Sequence, residues 1–564
     1  MMNRMTHPLF SKHRETLDAA LTAIASREYY SAYPESPSPR VYGETAADDG
    51  KAAFEALLGK TFEIDQPTAP RHVTTEDSPF GIDLGITYPA SDPTELINAA
   101  EAAWPAWRAA DPATRAGVCL EILHRIHSDV FTLANAVHAT TGQAFVMAFQ
   151  AGGPHALDRG LEAVAYGYAE QTRVPATAYW EKPGGKAGPL AMEKTYHVVP
   201  RGVGLVIGCN TFPTWNSYPG LFASLVTGNP VIVKPHPRAV LPLALTVRHA
   251  RAVLADAGFD PNLVTLAAEN PEDGIAEIVA MHPSIKIIDF TGSNSFGEWL
   301  EFNARQAQVY TEKAGVNTIV IDSTDNPKGM FNNIAFTLCL YSGQMCTTTQ
   351  AIFIPRDGIE TPDGRLSADD VKAGIVKSVA KLTSDDARAV ELIGAIVSPE
   401  VVQRVDDAAS LGEVLLPSRT VEHPAYPKAR VRSPLILGVD AGSSDAYASE
   451  CFGPVTFLVT TDDTDASLAV VRDVVGREGA LTMGVYSTQD GVLDAAVATA
   501  IDVNTHLSQN LTAGVFVNQS AAYSDFHGSG GNAAANAALT DGAYVANRFR
   551  IVQSRKHVEP RTAE

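Results

Sequence analysis

Short runs rich in valine and isoleucine, separated by long amphipathic stretches, dominate the middle of this chain. HVVPRGVGLVIG (197–208), NPVIVKP (229–235), LVTLAAE (263–269), IKIIDFTG (285–292) and NTIVIDS (317–323) are almost continuously apolar. Strands of that kind are covered on both faces, as in a parallel sheet flanked by helices. Helical stretches such as AVLPLALTVRHARAVLADAG stand between them, so the expected class is α/β with a Rossmann-type sheet. Upstream, residues 93–170 repeat apolar positions at three-and-four spacing, with Asp92 and Thr94 available as caps. Trp104 and Trp107 on that stripe read as core.

The flanks are patterned differently. Residues 7–28 predict an amphipathic helix, and YYSAYPESPSPRVYG after it predicts an extended segment lying over another domain. Downstream, a helix around 331–345, VKAGIVKSVAKLTS near 371, and the strands SPLILGV, VTFLVTT, ALTMGVYS and AGVFVNQS predict a second α/β unit. The tail AYVANRFRIVQSRKHVEP reads as a late strand, left with an open edge unless another strand pairs with it. Oligomerisation through that edge is the expectation.

Composition narrows the function. At 564 residues the chain is too long for one core, and 45% apolar content describes a soluble globular protein. The 64 acidic residues against 43 basic ones give a net charge of −21, which opposes binding to nucleic acid or an anionic membrane surface. Five scattered cysteines (119, 209, 339, 346, 451) without paired metal spacing argue against a disulfide framework and against structural zinc. With no apolar leader and no bilayer-length apolar run, a cytoplasmic location is expected.

Of the five cysteines, only Cys346, in YSGQMCTTTQ, has a small, polar, turn-like setting. A glycine turn, Gly292-Ser293-Asn294-Ser295-Phe296-Gly297, follows IKIIDFT and opens a helix, an arrangement that suits phosphate. It is neither GxGxxG nor a P-loop, and two glycines in a turn are common. Lys234 closes NPVIVKP at the strand end where open α/β sheets bind ligands. Glu312, in QVYTEKAGVNT, stands between two strand patterns with Lys313 as its one charged neighbour.

The order GSNSFG, EKAG, GQMC and ECFGPV resembles the aldehyde dehydrogenase superfamily, from roughly residue 80 to 560. That resemblance implies Cys346 as nucleophile, Glu312 as general base, Gly292, Ser293 and Gly297 at the adenine-side phosphate, Lys234 at the cofactor ribose, and Glu450 with Phe452 at the nicotinamide ribose. It also implies a cofactor domain (76–175 and 200–312), a catalytic domain (313–515), a bridging element for oligomerisation (176–199 and 540–560) and an N-terminal extension (1–75). The product would be a carboxylic acid, formed through a cysteine thioester that Glu312 hydrolyses with water.

Two positions depart from the family pattern. The family's oxyanion asparagine precedes Phe-Pro, whereas CNTFPTWN has Thr211 there, so the role passes either to Asn210 or to Thr211 with the Cys346 backbone N–H. The NAD-preferring glutamate three places after the lysine is Pro237 here. His236 and Arg238 stand nearby, which predicts NADP, with NAD as the alternative. The extension, the EKAGVNT variant and CNTFPTWNSYPG resemble the PaaN-type branch associated with phenylacetate degradation, implying a ring-cleavage semialdehyde carried on coenzyme A. In that family Tyr523, Phe526 and His527 belong to the loop lining the aldehyde entrance, where His527 reads as a loop hydrogen-bonder. An acylating, coenzyme A-dependent dehydrogenase and a silent nucleotide-binding scaffold are the competing readings.

Overall fold

The computed structural model describes residues 7–73 and 76–561, so the first six residues of the N-terminal extension, with residues 74 and 75, lie outside the described residues. Three sheets organise the chain. An antiparallel hairpin, β1 (Thr177–Lys182) and β2 (Leu190–Pro200), leads into a five-stranded parallel sheet. That sheet comprises β3 (Val203–Ile207), β4 (Val231–Lys234), β5 (Val264–Leu266), β6 (Ile285–Thr291) and β7 (Gln308–Glu312), in the order β5-β4-β3-β6-β7. A seven-stranded sheet follows: β8 (Thr318–Ile321), β9 (Ala351–Pro355), β10 (Glu413–Leu416), β11 (Leu435–Asp440), β12 (Val455–Thr461), β13 (Thr482–Tyr486) and β14 (His506–Gln509). Its order is β10-β11-β12-β9-β8-β13-β14, with only β10 antiparallel. Finally β15 (Phe549–Val558) returns to pair with β2 along ten residues.

The central strands are buried along their whole length, as their unbroken apolar runs require. Helices Pro93–Ala109, Pro112–His127 and Pro154–Thr172 supply the predicted helical region, the first capped by Asp92 accepting from the Thr94 and Glu95 N–H groups. Trp107 is fully buried and donates its indole N–H to the Leu225 carbonyl.

Four sequence expectations change. Residues 197–200 belong to β2 of the antiparallel sheet, because the chain breaks at Arg201-Gly202 before β3 begins. The run at 317–323 joins the second sheet as β8 rather than the first. The fifth strand of the first sheet is instead QVYTE, whose polar residues conceal it from an apolar-run reading although Thr311 and Glu312 are buried. AGVFVNQS forms no strand: Val515 is 65% exposed, and HLSQ at 506–509 takes the sheet edge.

The N-terminal segment folds as two helices, Pro8–Lys12 and Arg14–Ser26, rather than one. His13 breaks the run where its ring binds Glu121. The stretch after Arg27 runs extended over helix Pro154–Thr172, with Ser31 Oγ and the Ala32 N–H donating to Asp158. Among the described residues no helix is long and apolar enough to cross a membrane.

Candidate active site

Cys346 sits where the two larger sheets meet. Helix Pro327–Cys339 ends in a turn through three left-handed residues, Tyr341 (φ 51°), Ser342 (φ 50°) and Gly343 (φ 63°). For tyrosine and serine that conformation is strained, and it persists because the surroundings over-determine it. Tyr341 donates its hydroxyl to the Thr141 carbonyl and Ser342 Oγ donates to Ile393 O. At Gly343 a Cβ would lie 2.6 Å from the Gly453 carbonyl oxygen, so no side chain fits. Asn317 Nδ2 donates to the carbonyls of Cys346 and Thr348, fixing the loop beyond.

Glu312 ends β7, 2% exposed. Its Oε2 accepts from Asn216 Nδ2 at 2.9 Å and its Oε1 lies 3.0 Å from His527 Nε2. The same His527 nitrogen is 3.6 Å from Cys346 Sγ, while Nδ1 faces Ser520 Oγ at 3.4 Å and the ring stands edge-on to Trp215. Cys346 and Glu312, 34 positions apart in sequence, are thus joined through His527. Their donor atoms, with that of His527, lie within 4.8 Å of one another, a set that could also grip a soft divalent ion.

Burial pushes the Cys346 thiol well above its ordinary value, and the Glu312 charge pushes it further. Burial also raises Glu312, but His527 and the hydrogen bonds from Cys346 and Asn216 outweigh it and leave the carboxyl below its usual range. At neutral pH the resting pair is therefore a protonated sulfur beside an ionised carboxylate.

Asn210 stands outside the lining of the two cavities that meet at Cys346, and Thr211 turns its hydroxyl to Cys209 and its carbonyl to Gln143. β3 ends at Ile207, and helix Pro213–Val226 then carries Asn216 into the cavity on its first turn. The entrance-loop aromatics also differ from expectation: Tyr523 is fully buried against Tyr30, Phe526 lies under the Arg27 guanidinium, and His527 is in the catalytic cluster rather than the loop surface. Nothing in sequence spacing marks Asn216 or His527; only their neighbours Phe-Pro and the Gly-rich loop hinted at a site.

On the other side of Cys346, a cleft is lined by Gly343, Glu450 and Phe452. Burial pushes the Glu450 carboxyl up to about 7, with Arg404 partly opposing, and it makes no hydrogen bond to the described residues. An unpartnered acceptor in a cleft fits a ribose diol. Lys234 ends β4, buried, and pairs with the Glu269 carboxylate, whose other oxygen accepts from the Ile275 N–H. A carboxylate therefore does stand beside this lysine, supplied from beyond β5 rather than from position 237. His236 is held neutral, at about 3, by burial and by Lys234 and Arg238. Arg238 is committed to Glu400. Across β3, the Gly292–Gly297 turn opens helix Asn294–Asn303, with Ser293 Oγ accepting from the Phe296 N–H. A Cβ at Gly297 would meet the Lys313 stem at 2.7 Å.

A cysteine and a buried glutamate facing each other between a Rossmann-type sheet and a second α/β unit define an aldehyde-oxidising dehydrogenase. The chain belongs to the aldehyde dehydrogenase family, whose sequence profile matches residues 87–527. It is similar to a crystal structure of an NAD-dependent aldehyde dehydrogenase from Burkholderia multivorans, 59% identical, with a TM-score of 0.97 over 99% of this chain and 100% of that one. It is also similar to N-succinylglutamate 5-semialdehyde dehydrogenase of Ectopseudomonas mendocina, 25% identical over 67% of this chain and 74% of that protein. The fold alone is shared with Thermus thermophilus 1-pyrroline-5-carboxylate dehydrogenase R100A, at 19% identity and TM-score 0.74 over 94% of this chain and 99% of that one. The enzyme uses a nicotinamide dinucleotide, and the residues described fit one.

Proposed function

We propose that this enzyme oxidises a free aldehyde to its carboxylic acid with NAD, through a thiohemiacetal and then a thioester on Cys346. The contact that carries the reading is His527 Nε2, 3.6 Å from the sulfur and 3.0 Å from Glu312. As the sulfur bonds to the aldehyde carbon, its proton passes to the Glu312 carboxylate, which His527 Nε2 and Asn216 Nδ2 hold in place by donating to it, and the carbonyl electron pair moves onto oxygen. The Cys346 N–H and the second Asn216 N–H receive that oxyanion. Gly343, Glu450 and Phe452 would hold the nicotinamide end of the cofactor beside Cys346, and when bound it would supply the hydride acceptor for oxidation of the sulfur adduct to the thioester. Having released that first proton to solvent, Glu312 takes a proton from water as that water attacks the thioester; the C–S bond breaks and the leaving thiolate takes the proton back from Glu312, which restores the thiol. The ionised Glu312 favours water over coenzyme A thiol as the acceptor.

Glu269 supports NAD over NADP, since a carboxylate beside Lys234 accepts a ribose hydroxyl and repels a 2′-phosphate. The 59%-identical Burkholderia protein is described as NAD-dependent, which agrees. The resemblance to the phenylacetate-degradation branch supports an aromatic catabolic setting.

The test is formation of reduced nicotinamide on mixing with aldehydes and either cofactor, for wild type, Cys346→Ala, Glu312→Gln and His527→Ala. Wild type is expected to turn over with NAD preferred about tenfold or more, Cys346→Ala to be inert, and Glu312→Gln to stop after a single-turnover burst. His527→Ala is expected to slow the burst by about 10²–10⁴-fold. A burst of unchanged rate in His527→Ala would remove histidine from the mechanism, and equal use of NADP would remove Glu269 from cofactor choice.

A further inference from the structure

Resting on Cys346 as nucleophile, we infer that the channel above it selects aldehydes carried on an uncharged apolar or aromatic body, and that the N-terminal segment 27–35 is the wall that imposes this choice. A cavity of about 570 Å³ opens above Cys346 and His527, large enough for a ring with substituents. Tyr29, Tyr30, Ser31 and Glu35 form part of its lining, opposite Phe212 and Trp215. A segment that the sequence pattern leaves outside the catalytic unit therefore stands in the substrate's path.

The segment is fixed at each end. Helix Arg14–Ser26 terminates at the left-handed Arg27, whose guanidinium donates to Tyr166 OH (2.7 Å) and the Ser524 carbonyl (3.1 Å) and covers the Phe526 ring. Asp158 holds Ser31 and Ala32, and Glu35 pairs with His155 at 2.7 Å. Tyr30 packs against Tyr523, so the wall also braces the loop that ends in His527. It is positioned by contacts rather than lying loose over the opening.

Charge supplies the selection. The lining contains Glu35, Asp158 and Glu391 and neither lysine nor arginine; burial pushes Asp158 up to about 7, and its oxygens are taken by Ser31 and Ala32. Glu35 is balanced by His155, whereas Glu391 has no ion-pair partner among the described residues. A substrate tail bearing a carboxylate, or the phosphates of a coenzyme A thioester, would meet the Glu391 carboxylate and find no lysine or arginine to receive it, His155 being already paired with Glu35. Aromatic and aliphatic walls favour a tail without charge.

The experiment compares kcat/KM for para-tolualdehyde and para-carboxybenzaldehyde in wild type, Glu391→Lys and Tyr30→Ala. Binding of the unreactive para-methylacetophenone and para-acetylbenzoate is read alongside by quenching of tryptophan emission. Wild type is expected to prefer the neutral member of each pair by a few-fold, since Glu35 and Glu391 are exposed and partly screened by solvent and salt. Glu391→Lys should narrow that gap, and Tyr30→Ala should raise KM for the aromatic substrate more than for an aliphatic aldehyde of similar length. Equal or better use of the carboxylate, or faster turnover of a coenzyme A-linked semialdehyde, overturns the proposal. If neither aldehyde reacts but the neutral ketone binds more tightly, the channel assignment stands and the oxidative reading fails separately. If neither ketone binds preferentially, the channel assignment falls.

Discussion

Glu450 changes charge near pH 7 because burial withholds water from its carboxyl and only Arg404 opposes the effect. The raised value means that the ionised form, which accepts two ribose hydroxyls, is gained only as pH rises through about 7. Cofactor affinity should therefore strengthen from pH 6 to pH 8 in wild type, and Glu450→Gln should flatten that dependence while leaving aldehyde binding alone. Fluorescence titration of the cofactor at a series of pH values measures it, and an unchanged slope in the variant would assign the titration elsewhere. At this scale the sequence was informative where chemistry shows in a residue's neighbours. Cys346 stood out among five cysteines by its small polar setting, and Glu312 by its order relative to it. Asn216 stayed hidden, and His527 was read only as a loop hydrogen-bonder at the aldehyde entrance, because their meeting comes from a loop and a helix turn brought together in space; Asn210 was preferred for its nearness along the chain to Phe-Pro. Glu269 was missed for the same reason: its partner Lys234 is on the neighbouring strand, 35 positions away.

Elements were legible where one periodicity ruled. β3, β4, β6 and four strands of the second sheet, β8, β11, β12 and β13, follow from apolar runs, and the helical region at 93–170 from its three-and-four spacing. β7 escaped because a strand that ends in a catalytic residue must carry polar side chains inward. The tail behaves as expected of an edge: β15 pairs with β2 along one side, and most of its residues are exposed, among them Val552 at 53%. Its other side, like that of β1, offers unpaired backbone groups to another chain. We expect copies of the protein to associate through this three-stranded sheet, with light scattering giving a mass of at least two protomers and Val552→Asp shifting it downward. A wild-type mass of one protomer would leave the edge with no partner.

Over the whole molecule, the end of the chain is locked to the first parallel sheet by one buried ion pair. Arg548, just before β15, is fully buried and makes two bonds to Asp289 of β6, at 2.7 and 2.6 Å. Tyr544 donates its hydroxyl to the same carboxylate, and the Tyr310 and Tyr544 rings flank the guanidinium. Helix Pro213–Val226 crosses directly over Asp289 at Gly220, where a Cβ would lie 2.5 Å from the carboxyl carbon. Three segments far apart in sequence, near residues 220, 289 and 548, thus share one contact, which is why no sequence window announces it. Removing one partner leaves the other charged and without water, so Asp289→Ala should cost about 3–5 kcal/mol in chemical denaturation. Replacing both by apolar residues of similar volume, as in Asp289→Leu with Arg548→Met, removes the stranded charge and should cost much less than the single change. If the double variant is instead the less stable of the two, the pair stabilises through its own attraction, and the bond between β6 and the chain end is stronger than its burial accounts for.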